Sequence, residues 1–313
     1  MSRLYRAVKR VSPGFVWRPL RRALHDFATE AGYHRERLPC DFRGLVDDPF
    51  EALERANGHR SMLEIPLDKC LTLHSMAYPV TKGSDSPYLL TARWILKHTP
   101  QNTDYLASPL AVYLRTVAPH SAADLLGIKN KNLQQLDPIE AELPWQGHSG
   151  RAVRYRRSLR ASSEAKAAGF HLDLEQGWHN FGPSDDSKIE MECSRTHKLL
   201  VSVTSQGYWV DFSKPLVQGL VLVNQEKEWR FFIDGGNHRV AVLTALDFPT
   251  VPAIVRPDAI YWRSDAHQWP GVIAGDMDEA DAINLFDRIF SGRQPGDLDS
   301  AWKPQAERFK REL

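Results

Sequence analysis

Five consecutive residues, Gly235-Gly236-Asn237-His238-Arg239, have the side chains and flexibility needed to hold an anion and handle a proton beside it. Two glycines allow a tight turn. If a helix starts straight after them, its first N–H groups lack partners and its dipole adds partial positive charge, which suits a phosphate. His238 and Arg239 then occupy the first helical turn. There Arg239 can grip phosphate oxygens through a bidentate fork, and His238 can donate a further hydrogen bond to the same anion. The competing reading is a plain turn with a surface arginine and a satisfied histidine, because GG-x-H-R is a short motif.

The flanking residues supply the elements such a turn requires. Trp229–Ile233 is aromatic and β-branched, His238–Leu246 is apolar at nearly every step, and Val251–Val255 is again strand-like after Pro249. This predicts a strand ending at Asp234, a glycine turn, a buried helix starting within a residue of Asn237, and a second strand.

That order, with Gly236, His238, Arg239 and Val251-Pro252-Ala253-Ile254-Val255, resembles the ParB/sulfiredoxin superfamily. Its core helix opens with G-x-x-R-like motifs that hold nucleotide phosphates. The resemblance runs back through Glu190-x-Glu192-x-x-Arg195, a helical Leu199–Gly207 and a strand at Leu216–Val223, covering roughly Gly182–Pro257. It implies a mixed α+β fold with a ParB/sulfiredoxin-like core, a long helical N-terminal extension and a C-terminal helix. It also implies ATP or another nucleotide with Mg²⁺, held by Arg195, Gly235, Gly236, Asn237, His238 and Arg239, with Asp234 and Glu190 as metal ligands. Glu190, Glu192 and His238 become the catalytic candidates. If Ile189–Cys193 is extended, both glutamates share one strand face and can serve a metal and a hydroxyl proton together, or merely pair with Lys188 or Arg195.

The family's branches are not equally matched. Sulfiredoxins carry a reactive cysteine in G-G-C-H-R; Asn237 stands there, and an amide cannot replace a thiolate, so sulfinate repair is not expected. The DNA-partition branch is disfavoured by the lack of an evident helix-turn-helix after the motif, a net charge of +1, and an aromatic run from Tyr261 to Trp269. The aromatic-rich additions are similar to ParB-like proteins associated with bacterial surface-polysaccharide gene sets. The expected function is a nucleotide-dependent phosphotransferase acting on a small hydroxylated molecule such as a sugar or glycan precursor. The alternatives are a non-catalytic nucleotide-sensing or scaffolding protein, or a DNA-associated nucleotide hydrolase.

The 313-residue chain as a whole has 42% hydrophobic and 25% charged residues, a globular composition. It has no apolar run long enough to span a bilayer and no secretory signal, so a cytoplasmic location is expected. Cys40, Cys70 and Cys193 have no disulfide or zinc spacing and are expected to be reduced thiols. Seven basic residues precede the first acid, Asp26. Residues 1–28 thus form a basic amphipathic segment that either docks on the protein's own surface or rests on anionic lipid at the inner membrane surface.

Helices are expected at Phe50–Asn57, Tyr88–Lys97, Ser108–Val117, Ala122–Leu126 and Met277–Phe290, with a strand at Met62–Leu67 and a charged, frayed C-terminus. The polar, proline-interrupted stretch Lys129–Gly150 suggests a boundary, giving regions 1–28, 29–150 and 151–313. Arg151, Arg154, Arg156, Arg157 and Arg160 form either an anion-binding patch or a solvated helix face, and Trp178 or Phe181 either stacks on a base or packs in the core.

Overall fold

Strands form where the chain is apolar and β-branched. From residue 61 onward they are, in order, β1 (Ser61–Pro66), β2 (Cys70–Thr72), β3 (Tyr78–Pro79), β4 (Val217–Val223), β5 (Trp229–Gly235), β6 (Thr250–Val255) and β7 (Ile260–Trp262), and the two-residue strand Cys40–Asp41 lies at the sheet edge beside β1. The computed structural model describes residues 38–98, 104–212 and 215–313; the basic segment 1–28 lies outside them. The strands lie side by side as β1-β6-β4-β5-β2-β3. Central β4 runs antiparallel to β5, parallel to β6 at its start (Val217 opposite Ala253) and parallel to β7 at its end (Val221 opposite Ile260). Val217 and Leu220–Val223 are buried, as a strand covered on both faces requires.

The main helices are α1 (Pro49–Arg55), α2 (Pro87–His98), α3 (Pro109–Thr116), α4 (Ala122–Leu126), α5 (Arg151–Ala168), α6 (Asp186–Gln206), α7 (Asn237–Ala245), α8 (Glu279–Phe290) and α9 (Gly296–Glu312). Their ends follow local chemistry. The Ser108 hydroxyl caps Ala111 N–H at 3.2 Å to start α3, and Gly127 ends α4 in the left-handed region. The result is a mixed α+β fold. Among the described residues no helix is long and apolar enough to cross a membrane.

β5, the glycine turn, α7 and β6 follow the predicted order, with β5 continuing one residue past Asp234. Gly236 has φ +110°, and a Cβ there would stand 2.8 Å from a Val217 methyl of β4, so conformation and space both select glycine. The turn is thereby clamped onto the central strand. Val240–Thr244 are buried between α2, α6 and the sheet.

Three expectations are corrected. Ile189–Cys193 is not extended: it lies inside α6, where Glu190 is exposed and Glu192 fully buried. Residues two apart on a helix point to nearly opposite sides, so the two glutamates share no face. The stretch Lys129–Gly150 does not separate domains; Asp41–Leu313 is one compact unit, with Leu133, Leu143 and Trp145 in its core. Its polar residues serve as local caps, Asn130 accepting from the amides of Asn132 and Leu133. The charged C-terminus is a docked helix: Leu298, Trp302, Ala306 and Phe309 are buried, and Trp302 Nε1 donates to the Asp85 carbonyl at 2.7 Å.

Candidate functional site

On α6, Lys188, Glu192 and Arg195 stand at i, i+4 and i+7, a spacing that places them on one helical stripe. Lys188 and Glu192 are wholly buried, with Nζ 2.8 Å from Glu192 Oε1. The other oxygen, Oε2, lies 3.1 Å from Arg195 Nη1 and 2.8 Å from His238 Nε2. One carboxylate therefore ties α6 to the first turn of α7.

Helix α5 extends the network. Arg160 Nε donates to Glu164 Oε1 at 2.9 Å and its Nη2 to the Asp234 carbonyl at 3.1 Å, which holds the end of β5. Glu164 Oε2 is 3.6 Å from Arg195 and 3.9 Å from His179 Nδ1. The loop bearing His179 is pinned from below: the hydroxyls of Tyr88 and Tyr113 donate to the carbonyls of His179 (3.1 Å) and Asn180 (2.8 Å). Gly182 completes the fit, since a Cβ there would meet the Leu114 carbonyl oxygen at 2.0 Å.

Burial pushes the His179 pKa down to about 3, against the pull of Glu164. Burial also lowers that of His238, only partly offset by Glu192. For Glu192, burial works the other way, but the His238 contact, Lys188 and Arg195 together hold the carboxyl well below its ordinary range. At neutral pH the imidazoles are accordingly neutral and the carboxylate ionised. His238 turns Nε2 toward Glu192 Oε2 at 2.8 Å, a contact that favours the tautomer with its proton on Nε2 and leaves Nδ1 as the basic nitrogen. Nε2 makes no well-formed hydrogen bond despite the 2.8 Å distance. The short separation between two shielded groups governs their electrostatics. A neutral imidazole oriented by a buried carboxylate is the arrangement of a proton acceptor.

The other candidates divide. Gly235, Gly236 and Asn237 form the turn, and no side chain caps α7, so its first amides keep the unsatisfied character of any helix start. The Asn237 Oδ1 is buried without a partner, and Asn237 lines an enclosed cavity of about 10 Å³ with Thr72, Ser86 and Tyr88, room for one water. Arg239 makes no hydrogen bond or ion pair among the described residues and lies within electrostatic reach of Tyr208, so it does not share its neighbour's partner. Of the two expected Mg²⁺ ligands, Glu190 is exposed on α6, and the Asp234 carboxylate lies 3.9 Å from Arg160 Nη1.

Sequence reasoning missed Glu164 and His179, and it named Lys188 only as a pairing partner of the glutamates, the role it has toward Glu192. Read as helix, Arg160/Glu164 and Lys188/Glu192/Arg195 carry the i, i+4 signal; nothing local marks His179. Four of the five arginines of α5 are engaged within the protein: Arg154 pairs with Asp137, Arg156 with Glu142, Arg157 donates to the Ile139 carbonyl and Arg160 to Glu164, while Arg151 is exposed. Trp178 and Phe181 are buried and pack in the core. All three cysteines are free thiols, and burial pushes Cys193 up to about 12, which leaves it unreactive.

Behind this network, His74 Nε2 stands 3.5 Å from Glu142 Oε1, and Arg156 Nη2 stands 2.9 Å from Oε2. Burial would raise the Glu142 carboxyl, yet His74, Arg157 and Arg156 outweigh it and hold the pKa at about 2, against an ordinary 4.5. A depressed carboxyl stabilises the fold above its unfolded pKa, and this is lost as pH falls through the folded value. Between about pH 5 and pH 2, denaturant titration of the native chain should therefore show on the order of 2–3 kcal/mol more loss than Glu142→Gln. Parallel pH curves would remove Glu142 from the acid response. Comparison with protein-family models, curated proteins and solved structures returns no match for this chain.

Proposed function

We propose that this chain is a nucleotide-dependent phosphotransferase of the ParB/sulfiredoxin-like kind, acting on a small hydroxylated molecule such as a sugar or glycan precursor. The observation that carries the reading is His238, held 2.8 Å from the buried Glu192 in the first turn of a helix with no side-chain cap. Phosphoryl transfer asks a protein chiefly for positioning, charge neutralisation and a base for the acceptor hydroxyl. In this reading His238 takes that proton at Nδ1, Glu192 orients the ring, and the amides after Gly236, with Arg239, hold the phosphate. The phosphate lies over the open end of α7, because the cavity beside Asn237 admits no more than a water.

The basic residues 1–28 suit contact with anionic lipid at the inner membrane surface, which would bring the enzyme to lipid-linked acceptors. Calorimetric titration with a nucleotide panel, followed by turnover assays with hydroxylated metabolites, tests the proposal. Arg239→Ala should weaken nucleotide binding by about 1.5–3 kcal/mol with thermal stability nearly unchanged. Nucleotide binding without acceptor-dependent turnover would favour the sensing or scaffolding role instead, and no binding at all would end both readings.

A further inference from the structure

Beside the His238 pair lies a second constellation. Among the described residues, Glu164, His179 and Glu192 each present one ligand atom, and the three atoms lie within 4.8 Å of one another. They come from α5, from the loop pinned by Tyr88 and Tyr113, and from α6.

Acidic clusters are common without an ion, so the weight falls on the histidine. His179 is 6% exposed, and its Nδ1 is buried with no hydrogen-bond partner. Its backbone is held by the Tyr88 hydroxyl, and its ring lies tilted against Trp178 at 4.1 Å between centroids, which limits the room for it to turn. Nδ1 stands 3.9 Å from Glu164 Oε2: too far for a hydrogen bond, yet short enough for both atoms to reach one ion at bond lengths of about 2.0–2.2 Å. Glu192 Oε1 likewise meets no hydrogen-bond geometry, although Lys188 Nζ is 2.8 Å away. Of the three, His179 thus keeps a buried nitrogen with no hydrogen-bond partner, while Glu192 Oε1 also faces the Lys188 ammonium.

We propose that Glu164, His179 and Glu192 bind a divalent first-row transition ion. One imidazole nitrogen with two carboxylates suits Zn²⁺, Mn²⁺, Fe²⁺ or Co²⁺, whereas Mg²⁺ prefers oxygen alone. Arg160 bonds the Glu164 oxygen that does not face His179, the outer support that ligating carboxylates commonly have. Arg195 is the competitor: its Nη1 lies 3.1 Å from Glu192 Oε2 and 3.6 Å from Glu164 Oε2, spanning the two carboxylates. Its side chain is 32% exposed, so it can swing to solvent as the ion enters, while buried Lys188 stays. Metal binding rests on these atoms alone and does not depend on the phosphotransferase reading.

The test uses the full chain without nucleotide: equilibrium dialysis against Zn²⁺ with metal analysis, and Co²⁺ titration followed by visible absorption. The wild type should take up one ion per chain, with a Co²⁺ spectrum of nitrogen and oxygen ligands and no thiolate charge-transfer band. His179→Gln and Glu164→Gln should each weaken uptake at least about tenfold. Arg195→Gln should bind as tightly or more tightly, a result that loss of folding would not produce. Absence of stoichiometric uptake by the wild type, a thiolate band, or undiminished affinity in folded His179→Gln would overturn the proposal. The wild-type stoichiometry and spectrum decide the matter even if a variant fails to fold.

Discussion

Glu192→Gln is expected to destabilise the fold by about 3–5 kcal/mol, because it leaves the Lys188 ammonium buried without its countercharge. Lys188 and Glu192 are 1% and 0% exposed at their side chains, and Nζ lies 2.8 Å from Oε1, so water cannot replace the lost partner. Coulomb attraction at that distance is large only because both groups are dry, and it offsets desolvation only while both are present. Substituting both as Lys188→Met/Glu192→Leu should therefore recover most of the loss. Arg195 can turn to Glu164 and solvent, and His238 is already neutral. Denaturant unfolding of the single and double variants measures the coupling. A Glu192→Gln protein as stable as the native chain would show that the carboxylate is not the electrostatic centre of the network.

His238→Gln should lower acceptor-dependent turnover by about 10²–10⁴-fold, the usual contribution of a positioned base, with little change in KM for the phosphate donor. Glutamine keeps a donor toward Glu192 but cannot take a proton from a hydroxyl. The pH profile separates this role from simple packing. Burial lowers the His238 pKa below its ordinary 6.5, so the wild-type rate should be level at neutral pH and decline only below that value. The variant should lose that acid limb. Equal turnover in both proteins would remove His238 from the chemistry, whatever the nucleotide.

How much of this was legible beforehand depends on the range of the deciding interaction. Trp229–Val255 was readable because its signals are local: aromatic and β-branched residues for the strands, Gly236 where φ is +110°, and an apolar run for α7. The misreading of Ile189–Cys193 shows the limit. Ile-Glu-Met-Glu-Cys alternates like a strand, yet the buried positions Ile189, Cys193, Thr196, Leu200 and Val203 recur at helical spacing once the window is lengthened. Five residues held the wrong period, and twenty-one held the right one.

By itself, the sequence determined the mixed α+β character, the strand-turn-helix-strand unit and the glycine that lets the turn sit on β4, since backbone conformation and hydrophobic period act between near neighbours. Only the tertiary structure decided that Glu192 is buried and Glu190 exposed, that His238 faces α6 without Arg239, and that His179 meets Glu164 and Glu192. Those outcomes depend on which surfaces of α5, α6 and α7 are covered by one another. Desolvation turns ordinary side chains into a charged network with displaced pKa values, and it exists only after the chain has packed.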